Sequence, residues 1–96
     1  MNDETIEAVF VIRSELGLHA RPAGRFVSLA GGFTAEIQVG RGNEWVSGKS
    51  VLSLLSLAAG PGTELRIRAA GPDAQAAVEA LGSILEEAES ARAQGR

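Results

Sequence analysis

The order in which the hydrophobic residues change their spacing constrains the fold of this chain most. Alternation of apolar and polar residues predicts strands, and apolar residues three and four positions apart predict helices. Together these patterns predict strand 5–13, helix 20–30, strand 33–39, strand 44–47, helix 51–58, strand 63–69 and helix 74–88. The order β-α-β-β-α-β-α has too few helices for a doubly wound sheet. It favours an α+β open-faced sandwich, in which three helices lie on one face of a four-stranded antiparallel sheet.

The chain length sets the number of domains. With 96 residues, the chain is expected to form a single domain over 1–96, with an ordered core from about 5 to 88 and a frayed end from about Glu89. The first strand is apolar on both faces, because Val9 and Val11 lie opposite the Ile6 face. We therefore expect this strand to be covered on both sides or to lie inside the sheet.

Several residues predict where the helices begin and end. Pro22 falls in the first turn of the first helix, where its missing N–H costs nothing. Gly31 and Gly32 predict a left-handed cap at the end of that helix. Ser50 is the expected N-cap of the second helix, and Asp73 places an acid at the positive end of the third.

Composition excludes several classes of function. The formal net charge of −3 disfavours nucleic acid as a partner, since binding to phosphates needs a basic face. The chain has no cysteine, which excludes thiolate catalysis and cysteine-based zinc sites, and one histidine with scattered carboxylates predicts no metal site. Neither a signal peptide nor an apolar run of membrane-spanning length is present, so a cytoplasmic protein without a membrane role is expected.

The segment SGKS, from Ser47 to Ser50, resembles the end of a phosphate-binding P-loop. That motif requires a glycine five positions before Gly48, where this chain has Asn43. Strand-like residues also replace the glycine-rich loop. Nucleotide binding is therefore not favoured.

His19 lies just before the first helix. The first turn of a helix offers backbone N–H groups and a positive partial charge, which favour an anion such as phosphate. The guanidinium of Arg21 adds a counter-charge. A neutral imidazole can attack a phosphoryl group and form a phosphohistidine. From these residues alone, a helix cap or an ordinary surface residue is the more common role of a lone histidine before a helix.

Two motifs connect the chain to a known family. The segment Gly17–Ala23, GLHARPA, resembles the active-site signature of HPr, the histidine-containing phosphocarrier family of the bacterial phosphoenolpyruvate-dependent phosphotransferase system. The segment Lys49–Leu57 resembles the second motif of that family, at the expected distance from His19. The resemblance covers about residues 5 to 88.

The resemblance implies a function for the first motif. Nδ1 of His19 would accept a phosphoryl group from enzyme I and pass it to a histidine of an EIIA-type protein. Arg21 and the backbone amides of Ala20 and Arg21 would hold the phosphate. The protein would be a monomeric, stoichiometric carrier for sugar transport that is not an enzyme in the strict sense and needs no cofactor or metal. The resemblance also implies the sheet order 1-4-2-3.

The leucine-rich second motif has two interpretations. Val51, Leu52 and Leu55 either pack in the core or form part of a docking surface for enzyme I and EIIA proteins, as in the family. Gly24 and Arg25 lie near His19 and are assigned to the same surface. An exposed apolar patch commonly marks a partner surface.

Regulation is a second open question. In some family members the serine that matches Ser50 is phosphorylated by a dedicated kinase, and a phosphate there would place negative charge beside the apolar docking surface. The alternative function is therefore a regulatory module, in a nitrogen-type branch or under Ser50 control, whose phosphorylation state acts on partner proteins. A purely structural domain with an incidental histidine is a third hypothesis. No role is predicted for Trp45.

Overall fold

The computed structural model describes residues 4–87. Along the chain its elements are β1 (Thr5–Val11), α1 (Ala20–Ala30), β2 (Glu36–Arg41), β3 (Glu44–Ser47), α2 (Val51–Ser56), β4 (Glu64–Ala70) and α3 (Ala74–Leu85). In the described part, the strands form one antiparallel sheet of four in the order β1-β4-β2-β3. This confirms the predicted α+β open-faced sandwich and the implied sheet order. The predicted end of the core at Ala88 and the frayed tail lie outside the described residues.

The core lies between the helices and one face of the sheet. Every second residue of β4 is fully buried, and Phe26 and Leu54 bring α1 and α2 onto the same core. Burial of a leucine or phenylalanine side chain contributes about 1.5–3 kcal/mol. Alternation in the sequence therefore fixes which sheet face the helices cover. None of the helices in the described residues is long and apolar enough to span a bilayer.

The opposite face of the sheet gives Trp45 a structural role. Its ring lies over Gly40, where an added Cβ would come within 2.8 Å of the indole. The guanidinium carbons of Arg66 and Arg68 lie 4.6 and 3.9 Å from the centre of that ring, which is cation–π geometry. Nε of Arg68 also donates to Glu7 at 3.2 Å. Residues from all four strands therefore contact one another on this face of the sheet.

The structure places β1 at the edge of the sheet, which corrects the expectation for this strand. It pairs with β4 alone among the described strands, and Val9 is 55% exposed. The N–H of Val11 donates to Oε2 of Glu86 at 3.1 Å, so a carboxylate occupies part of the open edge. An apolar second face did not require cover because single exposed valines are ordinary at a protein surface.

Two helix ends differ from the predictions. Gly31 has φ −63° and is right-handed, so the predicted left-handed cap is wrong. The amides of Gly31 and Gly32 instead donate to Val27 and Leu29, each at 3.0 Å, and tighten the last turn. Helix α2 ends at Ser56, before the predicted end at Ala58, which adopts φ +51°.

The side chain of Asp73 forms hydrogen bonds outside its own helix. It occupies the N-cap position of α3 but makes no side-chain cap. Its two carboxylate oxygens accept from the amides of Thr34 and Ala35, both at 2.8 Å. These hydrogen bonds, led by the one from Thr34, hold the pKa of the Asp73 carboxyl below its usual value. The carboxylate therefore ties the start of α3 to the segment that enters β2.

Candidate functional site

The turn after α2 restricts the backbone conformation of the loop before α1. Gly17 has φ +71°, and a Cβ there would lie 2.6 Å from the carbonyl oxygen of Ala59. The amide of Leu18 donates to that same oxygen at 2.8 Å, and the amide of His19 donates to Gly17 at 3.0 Å. A residue with a side chain at position 17 would be strained and would collide. The turn after α2 therefore sets the path of the backbone into His19.

His19 is the N-cap residue of α1. Its backbone is extended, with φ −95° and ψ −173°, and its carbonyl accepts from the amide of Ala23 at 3.1 Å. Its side chain does not cap the helix. The residue is half-buried, and Nε2 of its ring is buried against the protein.

The first turn of α1 carries no acidic residue. The amides of Ala20 and Arg21 belong to the first turn, whose N–H groups have no acceptor within a helix, and they sum to a positive partial charge. Pro22 is buried and fixes the direction of this turn, whereas Arg21 is exposed. The structure thus brings His19, Ala20 and Arg21 together at one helix end, as the sequence predicted.

The residues of the leucine-rich motif in α2 differ in exposure. Leu52 is 80% exposed, Val51 and Leu55 are half-buried and packed at the margin of the core, and Leu54 is fully buried. One edge of α2 therefore packs in the core, whereas the other presents a leucine to solvent. Helices α1 and α2 pack against each other, and the turn after α2 contacts the loop that leads into α1.

Gly24 and Arg25 have different surroundings. An added Cβ at Gly24 would meet nothing within 4 Å, so this part of α1 is open surface. Arg25 forms a two-pronged ion pair with Glu87, with one of the hydrogen bonds at 3.1 Å. The guanidinium holds the pKa of the Glu87 carboxyl below its usual value. This pairing could not be predicted from the motifs, because Glu87 lies outside both of them and far along the chain.

Ser50 caps α2 as predicted. Its Oγ accepts from the amide of Ser53 at 3.2 Å. The hydroxyl therefore satisfies one of the amides at the start of α2, in contrast to the imidazole at the start of α1. Among the described residues, no group of three or more His, Cys, Asp or Glu side chains is placed to hold a metal ion.

Comparison with known protein families identifies the chain's relatives. A family model described as the PTS HPr component phosphorylation site matches residues 6–87. The phosphocarrier protein HPr of Pseudomonas aeruginosa is 41% identical over 75 residues, which cover 77% of this chain and 83% of that protein. The HPr-like protein Crh of Bacillus subtilis is 40% identical over 76 residues, covering 79% of this chain and 89% of that protein.

Larger proteins and solved structures give the same result. A multiphosphoryl transfer protein of Haemophilus influenzae is 40% identical over 84 residues, and these cover 84% of this chain but only 17% of that protein. The crystal structure of a phosphocarrier protein HPr from Bacillus anthracis matches with a TM-score of 0.81 at 34% identity, covering 85% of this chain and 98% of that one. The chain therefore belongs to the HPr family of phosphocarriers of the phosphotransferase system.

Proposed function

We propose that Nδ1 of His19 accepts a phosphoryl group from phosphorylated enzyme I and passes it to a histidine of an EIIA-type protein. The observation that carries this proposal is the N-cap position of His19, whose side chain leaves the first turn of α1 uncapped. A phosphoryl group on the imidazole would lie beside the amides of Ala20 and Arg21. The burial of Nε2 supports Nδ1 as the acceptor nitrogen.

The transfer needs no cofactor. Nδ1 supplies its lone pair to phosphorus, and the bond from phosphorus to the donor breaks as the new N–P bond forms. The amides of the first turn and the guanidinium of Arg21 stabilise negative charge on the phosphoryl oxygens. The second transfer reverses these events toward the acceptor histidine and restores the free imidazole. The protein acts stoichiometrically, as a carrier.

We assign partner binding to a docking face that consists of Val51, Leu52 and Leu55 of α2 with Gly24 of α1. Leu52 is 80% exposed, and an added Cβ at Gly24 would meet nothing within 4 Å, so both positions are open to a partner's side chains. Arg25 borders this face, but its ion pair with Glu87 competes with acidic groups of a partner. Arg25 therefore contributes less to docking than its position on α1 implies. We propose that the protein acts as a monomer in the cytoplasm.

The direct test is phosphorylation by phosphoenolpyruvate and enzyme I. The expected product carries one phosphoryl group, seen by intact-mass spectrometry, which is stable in base and lost in mild acid. Because the chain has one histidine, acid-labile phosphate reports on His19 alone. His19→Gln is expected to take up no phosphate and to remain folded. Uptake by that variant, or none by the natural sequence with a cognate enzyme I, would refute the proposal.

A regulatory role is the second candidate. It is favoured by the similarity to Crh, since a solved structure of that protein is described as the Bacillus subtilis catabolite repression HPr. Phosphorylation of Ser50 by a serine kinase would keep an oxygen acceptor at the start of α2. It would also place negative charge next to the docking face and weaken binding there.

The fate of the phosphoryl group distinguishes the two candidate functions. For a carrier, phosphate on His19 passes to an EIIA-type protein when enzyme I is removed. For a regulator, phosphate stays on His19 under those conditions, and a serine kinase modifies Ser50. Transfer without any modification of Ser50 would rule out the regulatory candidate in its serine-controlled form.

A further inference from the structure

The turn after α2 contains a backbone conformation that alanine rarely adopts. Ala58 has φ +51°, and it is the one residue other than glycine with positive φ among the described residues 4–87. Left-handed alanine is strained because its Cβ approaches the following carbonyl, and such strain persists only where neighbouring groups hold it. Something must therefore hold this turn.

Arg41, at the end of β2, supplies the restraint. Its Nη1 donates to the carbonyl oxygens of Leu57 and Ala58, at 2.8 and 2.9 Å. Both carbonyls lie at the C-terminal end of α2, where the last C=O groups of a helix have no intrahelical partner and a cation is favourable. One guanidinium thus binds the carbonyls on both sides of the strained φ angle.

The next residue contacts the functional loop. The carbonyl of Ala59 accepts the amide of Leu18 at 2.8 Å, and it lies so close to Gly17 that only a glycine fits there. Leu18 immediately precedes His19. A continuous set of contacts therefore runs from Arg41 through Ala58 and Ala59 to the backbone of His19.

We propose that Arg41 is a positioning residue for phosphoryl transfer. It holds the left-handed turn at Ala58, which fixes the Ala59 carbonyl and so sets the orientation of His19. Arg41 acts through the backbone and not by contact with phosphate. The proposal rests on the proposed role of His19, but the geometry it invokes exists in the unphosphorylated protein and is measurable there.

Arg41→Ala tests this role with two readouts. Hydrogen exchange at the Leu18 amide is expected to accelerate about tenfold, because its acceptor is no longer fixed. The rate of phosphorylation at saturating enzyme I is expected to fall about tenfold, with KM nearly unchanged, because docking residues are untouched. Arg66→Ala is the matched control, since it removes a guanidinium that donates to the Gly42 carbonyl and lies against Trp45 on the open sheet face. It should change neither readout.

A second variant separates positioning from general loss of structure. Glycine adopts positive φ without strain, so adding Ala58→Gly to Arg41→Ala is expected to recover most of the Leu18 protection and most of the transfer rate. Unchanged Leu18 exchange in Arg41→Ala, or no recovery in the double variant, would overturn the proposal. If the natural sequence takes no phosphate, the proposed function fails, while the exchange experiment still decides the role of Arg41 in the turn.

Discussion

The N-termini of α1 and α2 are capped in different ways. At α2, the hydroxyl of Ser50 accepts from the amide of Ser53 at 3.2 Å, so the helix caps itself. At α1, His19 occupies the N-cap position, and its imidazole makes no such bond. Serine is among the best N-cap residues and histidine is not.

We interpret this difference as a difference in function between the two helices. Because Ser50 caps α2 from within the chain, the start of this helix does not require a partner. Helix α2 exposes the side chain of Leu52 to solvent. At α1 the N-cap side chain makes no hydrogen bond to the first amides, and the N–H groups of a helix start favour an anion. We interpret α1 as the site of chemistry and α2 as a surface for binding. The following predictions test that division, from the largest expected effect to the smallest.

His19→Ser gives α1 the kind of cap that α2 has. Phosphorylation by enzyme I is expected to be lost entirely, because the nucleophile is gone. The free energy of unfolding, from urea denaturation, is expected to rise by up to about 1 kcal/mol, because serine caps helices better than histidine. A fall in stability would show that the imidazole itself supports the start of α1, which contradicts the comparison.

Arg21→Ala removes the guanidinium next to the proposed phosphate position. The rate of transfer at saturating enzyme I is expected to fall about 10–100-fold, as for loss of one donor to a developing charge. Arg25→Ala is the matched control one turn along α1 and should have a much smaller effect, since Glu87 already engages that side chain. Equal effects of the two variants would assign Arg21 to general electrostatic attraction of the partner.

Leu52→Glu places a charge on the docking face without touching α1. The KM for enzyme I is expected to rise about tenfold or more, since a desolvated leucine contact is worth about 1.5–3 kcal/mol, and kcat should hold nearly constant. Val9→Glu is the control, because Val9 is also an exposed apolar residue, 55% accessible, but lies on β1. An equal rise in KM for both variants would show that α2 has no special role in docking enzyme I.

Ser50→Ala removes the self-made cap of α2. The free energy of unfolding is expected to fall by about 1 kcal/mol. Phosphorylation of His19 at saturating enzyme I should be unaffected, because this serine serves the helix and not the chemistry. Ser50→Asp keeps an acceptor at the cap, so it should retain stability while it weakens docking. A large loss of kcat in Ser50→Ala would contradict the division of work.

Asp73→Asn tests the third helix start, where the carboxylate reaches to Thr34 and Ala35. The folded protein lowers the pKa of this carboxyl, so its contribution to stability is fully present above the ordinary value of 3.8 and is lost as pH falls through the lower folded-state pKa. Urea denaturation of both proteins should therefore show a stability difference at neutral pH that shrinks below pH 3.8. A difference independent of pH would mean that the ionised carboxylate does not matter.

Local features of the fold could be predicted from the sequence. The alternating residues of β4 and the cap at Ser50 depend on neighbours within a few positions, so periodicity and residue type were sufficient. The approach of His19 and Arg21 to the start of α1 was predicted for the same reason. Each of these features follows from contacts that the chain makes with itself over one or two turns.

Features that depend on distant segments could not be predicted. The edge position of β1 follows from pairing with β4, and its Val11 amide meets Glu86, 75 positions later. Arg41 lies between the predicted strands 33–39 and 44–47, yet its guanidinium holds the end of α2. The left-handed residue after α2 is an alanine, whereas the glycines after α1 are not left-handed. At Ala58 the hydrogen bonds from Arg41, made across the fold, override the residue preference, whereas Gly31 and Gly32 close the end of α1 with local hydrogen bonds to Val27 and Leu29.

The most direct test of the central claim is an NMR spectrum of the uniformly ¹⁵N-labelled protein before and after phosphorylation by enzyme I. The account predicts ³¹P–¹⁵N coupling at Nδ1 of His19, and the largest amide shifts at Ala20 and Arg21, with little change at Ser53. Coupling at Nε2, or amide shifts concentrated at the start of α2, would contradict the claim that the uncapped end of α1 receives the phosphoryl group.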